Sequence, residues 1–257
     1  MTVNPLYSLA GVLVGMLVGL TGVGGGSLMT PLLVLLFGFH PTTAVGTDLL
    51  YASATKAVGT TVHGSRGTVE WSVVRRLAIG SVPATILTLL LLSRVPRSDD
   101  TSSAIALILG AALVATAVAL FFRARIVAAL GPRFVGMSPR RLTGLTVLLG
   151  VMLGVMVSLT SVGAGALGMT ALLILYPQLP VNRLVGSDIA HAVPLTLIAG
   201  LGHWWIGSVD TGLLVSLLLG SIPGIIVGSL IATRVSDRVL TPVLAATLAI
   251  VGVRLFF

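Results

Sequence analysis

Residues 21–27 read TGVGGGS and interrupt an apolar run that extends over residues 6–39. Glycine has no Cβ, so Gly22, Gly24, Gly25 and Gly26 weaken a helix and let another group approach the backbone closely. Non-helical backbone at membrane depth is tolerated where it is buried in protein or lines a cavity. If the chain after Ser27 is a half-helix, its N-terminus turns free N–H groups and a positive dipole end toward the break, which is anion chemistry. The hydroxyls of Thr21, Ser27, Thr160 and Ser161 add donors. A plainer reading is that the glycines allow close helix packing, as small residues do in membranes. Gly11, Gly15 and Gly19, spaced by four, fit that reading well.

Ionisable residues inside apolar segments form the second group. Asp48 and Asp188 each follow a VG-[TS] triplet, with Thr47 and Ser187 just before them. Intramembrane carboxylates are costly and point to function; these two could carry a coupling proton. The structural alternative makes Thr47 or Ser187 an N-cap, with the aspartate in the first helical turn. Lys56, the one lysine, lies eight residues past Asp48. That is roughly 12 Å of helical rise, too far for a direct pair. It could attract an anion, pair across to another helix, or snorkel. His191 shares a helical face with Asp188; it is either proton-linked or a hydrogen-bonded bundle histidine. His63 and His203 suit helix ends better than titrating sites.

The elements that position these groups are membrane helices. Hydrophobic residues make up 56% and charged residues 9%, with mean hydropathy +1.11. Soluble domains carry about 25% charged residues. The formal charge of +8 does not signal nucleic acid, because the arginines sit at breaks between apolar segments. The absence of cysteine excludes disulfides and thiol chemistry. The opening MTVNPLYSLAG has no basic n-region and no small-residue cleavage site, so no removable signal peptide is expected. Neither a Walker A motif nor metal-ligand spacing occurs, and the glycines do not satisfy GxGxxG. No cofactor is expected. With no nucleophile–base pair in evidence, neither is an enzyme. Trp71, Trp204 and Trp205 read as interfacial anchors.

Helices are expected over about 44–62, 77–92 and 103–122, with a basic stretch after them. The pattern then repeats at an offset of about 140 residues. LTGVGGGSL at 20–28 matches LTSVGAGAL at 159–167, VGTDL at 45–49 matches VGSDI at 185–189, and GSVPA at 80–84 matches GSIPG at 220–224. His63 falls on His203, Glu70 on Asp210 and Arg94 on Arg234. Transporters are often built from such duplications, with the substrate near the midplane at the repeat interface. The expected units are residues 1–122, a basic cytoplasmic linker at 123–141, and residues 142–257. If each broken stretch is re-entrant, the halves are inverted and eleven arginines share the cytoplasmic side, against Arg94, Arg97 and Arg254 outside. A single crossing per broken stretch gives parallel halves and a weaker bias, nine against five. The expected fold is therefore all-α and integral to the membrane. Each half has a Gly-broken re-entrant or discontinuous helix plus about three transmembrane helices. Small-residue faces would permit a homodimer.

The run GVGGGSLMTPLLVLLFGFHPTTAVGTDL, the helix leading to His63, and the later SVGAGALG and VGSDIAH resemble the sulfite exporter TauE/SafE family over essentially the whole chain. The resemblance implies a plasma-membrane (in bacteria, inner-membrane) secondary transporter or permease for a small sulfur-containing anion such as sulfite, sulfoacetate or a similar sulfonate. The substrate-binding candidates are residues Thr21, Gly22, Gly24, Gly25, Gly26 and Ser27, with Thr160, Ser161, Gly163 and Gly165 opposite. Thr47, Lys56, Ser187 and His191 are further candidates. The second repeat has Ala164 for Gly25, Thr170 for Pro31 and Thr196 for Lys56, so the halves need not contact substrate equally. A passive anion channel could use the same breaks as a selectivity constriction.

Overall fold

A computed structural model describes residues 5–21, 26–65, 67–95, 99–231 and 237–255. The described chain is helical. Its elements are α1 (Pro5–Thr21), α2 (Gly26–Leu35), α3 (Pro41–Ser65), α4 (Trp71–Leu92), α5 (Asp99–Phe121), α6 (Arg123–Leu130), a 3-10 turn (Gly131–Phe134), α7 (Pro139–Thr160), α8 (Ala166–Leu175), α9 (Val181–Trp205), α10 (Thr211–Ile231) and α11 (Asp237–Arg254). Among the described residues, five stretches are long and apolar enough to span a bilayer: Trp71–Leu92, Ser103–Phe121, Pro139–Thr160, Val181–Trp205 and Thr211–Gly228.

The helix α3 is not among those five, although it has 25 residues. Its threonines, serines, Asp48 and Lys56 lower its hydropathy. It tolerates them because it runs through the interior, where residues 44–53 are all buried and other helices replace lipid as neighbours. α3 and α9 cross antiparallel. Gly46 meets His203 and Ser208, Gly200 meets Leu50, and Gly186 meets Thr68.

Two further seams run parallel and hold backbone against backbone. In α1, Gly11 and Gly15 face Leu217 and Ser221 of α10, while Gly220, Gly224 and Gly228 face Ser8, Val12 and Met16. In α7, Gly150 and Gly154 face Leu77 and Ser81 of α4, and Gly80 faces Val147. A Cβ at any of these positions would strike the partner's main chain or its closest side-chain atoms. Such contacts drive membrane helix association through packing and not through the hydrophobic effect.

Three apolar cores follow from this pairing. One joins Val14, Met29, Leu33, Tyr51 and Leu217 from α1, α2, α3 and α10. A second gathers Leu77, Leu153, Leu172, Leu184 and Leu195 from α4, α7, α8 and α9, with Val45 and Leu49 of α3. The third lies around α5 and α11, with Leu109, Leu113 and Leu248.

The helix expected over 44–62 begins earlier, at Pro41, a residue suited to the first helical turn. Thr47 and Asp48 therefore sit well inside α3, and Ser187 and Asp188 well inside α9. The N-cap alternative for these pairs fails, because the helix already carries intrahelical bonds at those positions. The basic stretch after Phe122 is not plain linker. It forms α6 and the 3-10 turn, and Phe134 packs against the second core. Trp71 opens α4, while Trp204 and Trp205 close α9; all three are exposed, at opposite ends of the bundle.

Candidate functional site

The second glycine-rich break lies between Thr160, the last residue of α7, and Ala166, the first of α8. Its geometry follows from its residues. Ser161 is left-handed at φ 58°, the one non-glycine among the described residues with positive φ. Gly163 and Gly165 follow at φ 120° and 124°, backbone that side-chain-bearing residues rarely adopt. The Thr160 hydroxyl braces the turn: it accepts from the Val162 amide at 3.1 Å and donates to the Met156 carbonyl at 2.7 Å. The Gly168 amide closes the loop onto the Gly163 carbonyl at 3.0 Å. Residues 160–164 are buried.

α3 delivers two charged groups to this break. Lys56, buried in mid-helix, donates from Nζ to the Ala164 carbonyl at 3.2 Å. The ammonium is thus turned into the break, and it does not snorkel to the surface. It has three donors, one of which is used here. Asp48 is fully buried and is fixed through Oδ2, which accepts from the Thr30 amide at 3.2 Å and the Thr30 hydroxyl at 2.5 Å. Its Oδ1 has no hydrogen-bond partner, and neither does the Oγ of neighbouring Ser161. The strained conformation of Ser161 puts its hydroxyl beside this carboxylate.

α9 contributes the corresponding groups. Asp188 lies against Gly168 of α8, where an added Cβ would come within 2.7 Å of Oδ1, an atom without a hydrogen-bond partner. Lys56 interacts electrostatically with both Asp188 and Asp48. His191 Nε2 meets Ser81 Oγ at 2.8 Å, leaving Nδ1 without a partner. His203 donates from Nε2 to the Ser158 carbonyl at 2.8 Å, one turn before the break, and so it ties α9 to the end of α7.

Thr47 and Ser187 are placed differently. The Thr47 hydroxyl accepts from the Asp210 amide at 3.1 Å, and the Ser187 hydroxyl accepts from the Glu70 amide at 2.8 Å. Each cross-links α3 or α9 to the start of α10 or α4. Ser187 also donates to the Arg183 carbonyl. Both hydroxyls are therefore engaged at the helix starts, away from the break.

In the first break, Gly22, Gly24 and Gly25 lie outside the described residues. Thr21 closes α1, and Gly26 and Ser27 open α2. Helix α2 thus begins beside the first break as α8 begins beside the second.

Three buried polar residues here were not singled out from the sequence. Thr30 holds Asp48, Ser81 holds His191, and Tyr51 is fully buried beside Ser221 with its hydroxyl unpartnered. A signal for two of them existed. Tyr51 stands 140 residues before His191, and Ser81 and Ser221 are the serines of the matched GSVPA and GSIPG runs.

Comparison with known proteins agrees with this architecture. The sulfite exporter TauE/SafE family profile matches residues 7–255. The probable membrane transporter protein YjnA of Bacillus subtilis is 42% identical over 216 residues, covering 83% of this chain and 84% of that protein. A second Bacillus subtilis protein, the probable membrane transporter protein YunE, is 41% identical over 68 residues, 26% of this chain and 25% of its own length. No solved structure gives a significant match. With a match over nearly its whole length and helices built for the bilayer, the chain belongs to the sulfite exporter TauE/SafE family of multi-pass membrane transporters.

Proposed function

We propose that this transporter moves a small sulfur-containing anion, sulfite or a sulfonate such as sulfoacetate, by alternating access. The observation that carries the reading is the Lys56 ammonium on the Ala164 carbonyl, inside a break that ends at the N-terminus of α8. A helix N-terminus, a buried ammonium with donors to spare and a hydroxyl at Ser161 are complementary to a tetrahedral or pyramidal oxyanion. Asp48 borders the same hydroxyl. Anion binding beside a carboxylate favours protonation of that carboxylate, which would couple the anion to a proton. Asp188 and His191 are the further candidates for the proton path.

The two halves, residues 1–122 and 142–257 joined by 123–141, are read as inverted repeats. Four features support this. The matched helices α3 and α9 cross antiparallel. The α1–α10 seam has its counterpart in the α7–α4 seam. Arg75, Arg76, Arg140, Arg141 and Arg183 gather where α4, α7 and α9 begin. Arg94 lies at the far end of α4. The arginine-rich side is the cytoplasmic one by the charge rule.

The test is uptake of sulfite and sulfoacetate into proteoliposomes of purified protein, with and without an imposed pH gradient. Gradient-driven accumulation is the expected result. Equilibration without accumulation would replace the carrier by a passive anion channel. No flux of either anion would remove the sulfur-anion assignment.

A further inference from the structure

An apolar groove of about 590 Å³ runs down the outside of the bundle between α4 and α7. Its floor is small: Gly80 and Ala84 of α4. Leu87 and Leu91 form one wall, and Val155 and Leu159 of α7 form the other. The groove exists for a structural reason. α4 and α7 run in parallel with their backbones in contact at Gly80 and Gly150. α7 then stops at Thr160, where the break begins, while α4 continues to Leu92. The last turns of α4 are left without α7 beside them, and α9 covers only their other side, where Gly202 meets Leu89. From Ile79 to Leu92, the ends of the lining on α4, is about 20 Å of helical rise. One leaflet contributes about 15 Å of hydrocarbon.

The lining offers a hydrogen-bonding ligand nothing. Its one hydroxyl, Thr88, is spent on the Ala84 carbonyl at 2.8 Å. The exposed wall residues, Leu87 and Leu91 at 59% each, are those of a lipid-facing surface. At the mouth the character changes. Arg94, exposed, lies next to the lining residue Val95, one residue past the Ser93 cap of α4. The repeat places an arginine at the matching position of the second half, Arg234.

We propose that this groove is a binding site for an acidic phospholipid, with one acyl chain laid along Gly80, Ala84 and Leu159 and the headgroup phosphate on Arg94. An arginine paired with a phosphate forms the strong, charge-assisted kind of hydrogen bond. The chain then fills the space behind the second break, touching Leu159 next to Thr160. The assignment is independent of which anion the protein transports.

Native mass spectrometry of the full-length protein, released from nanodiscs of phosphatidylglycerol and phosphatidylcholine in equal parts, tests it. The expected result is a single retained phosphatidylglycerol, favoured over phosphatidylcholine by roughly tenfold or more, as a charge-assisted contact implies. Arg94→Gln should erase the preference while leaving either lipid able to bind. Val155→Trp, which fills the groove from an exposed wall position, should remove both adducts. Equal retention of the two lipids by the wild type, or a preference untouched by Arg94→Gln, overturns the headgroup assignment. A wild-type dimer that Val155→Trp converts to monomer would show that a second copy occupies the groove, and would also overturn it.

Discussion

Replacing Lys56 by methionine is the sharpest perturbation of the central charges. The side chain is 5% exposed, donates to the Ala164 carbonyl at 3.2 Å and interacts with two buried carboxylates, Asp188 and Asp48. Methionine keeps the length and apolar stem but removes the ammonium. Removing one partner from a buried charge cluster costs about 3–5 kcal/mol, because the remaining charge is left uncompensated. For a chain of this size that corresponds to a fall in Tm of about 6–20 °C. The two carboxylates are not equivalent. Asp48 keeps an amide and a hydroxyl donor from Thr30 after Lys56 is gone, whereas Asp188 Oδ1 has no hydrogen-bond donor to fall back on. Asp188→Asn should therefore restore most of the loss in the Lys56→Met background, and Asp48→Asn should restore less. The assay is thermal unfolding of the three single and two double variants in one detergent, alongside proteoliposome uptake of each. A Lys56→Met protein as stable as wild type would refute the reasoning. So would double variants whose effects merely add within about 0.5 kcal/mol, since residues in one charge network must couple.

Other predictions follow from the same geometry. Gly165→Ala forces a side chain onto φ 124° and should cost about 1–3 kcal/mol in thermal unfolding, lowering transport with it. Gly150→Leu drives a branched side chain into the Leu77 main chain and should destabilise by at least about 1–3 kcal/mol. Gly144→Ala, with open space around it, should be neutral or stabilising. Thr47→Ala and Ser187→Ala each leave an amide of the other half unpaired; each should lose about 1 kcal/mol of stability with the KM for the anion unchanged. Asp48→Asn should abolish any response of anion uptake to an imposed pH gradient while leaving exchange of the anion measurable.

Much of this was legible in the sequence because local composition reports directly on local backbone. The interruption at 161–165 is where the glycines put it, and the long apolar helices are where hydropathy puts them. Lys56 stood out because a lone lysine in an apolar segment needs a partner. What sequence could not supply was pairing between distant segments. Thr47 and Ser187 look like caps of their own helices, yet Pro41 and Val181 start those helices earlier. The two hydroxyls serve the first amides of helices about 160 and 120 residues away in the chain. Tyr51 was hidden for a related reason: a buried tyrosine in a helix reads as core until its repeat mate, His191, is seen on Ser81. The α3 helix is too polar to pass as a lipid-facing span, because over residues 44–53 its surroundings are protein.

The α1–α10 seam also sets a problem of timing. Gly11 meets Leu217, so the two faces of the seam leave the ribosome about 200 residues apart. At about 5–20 residues per second, α1 waits some 10–40 s before its partner exists. The α4–α7 seam, Leu77 against Gly150, closes after little more than a third of that interval. Synthesis thus completes one bundle around α4 and α7 first, while the earliest helix of the chain stands in the bilayer with its glycine face open. Of the two parallel seams, the one that closes last is therefore the one that holds the helix made first.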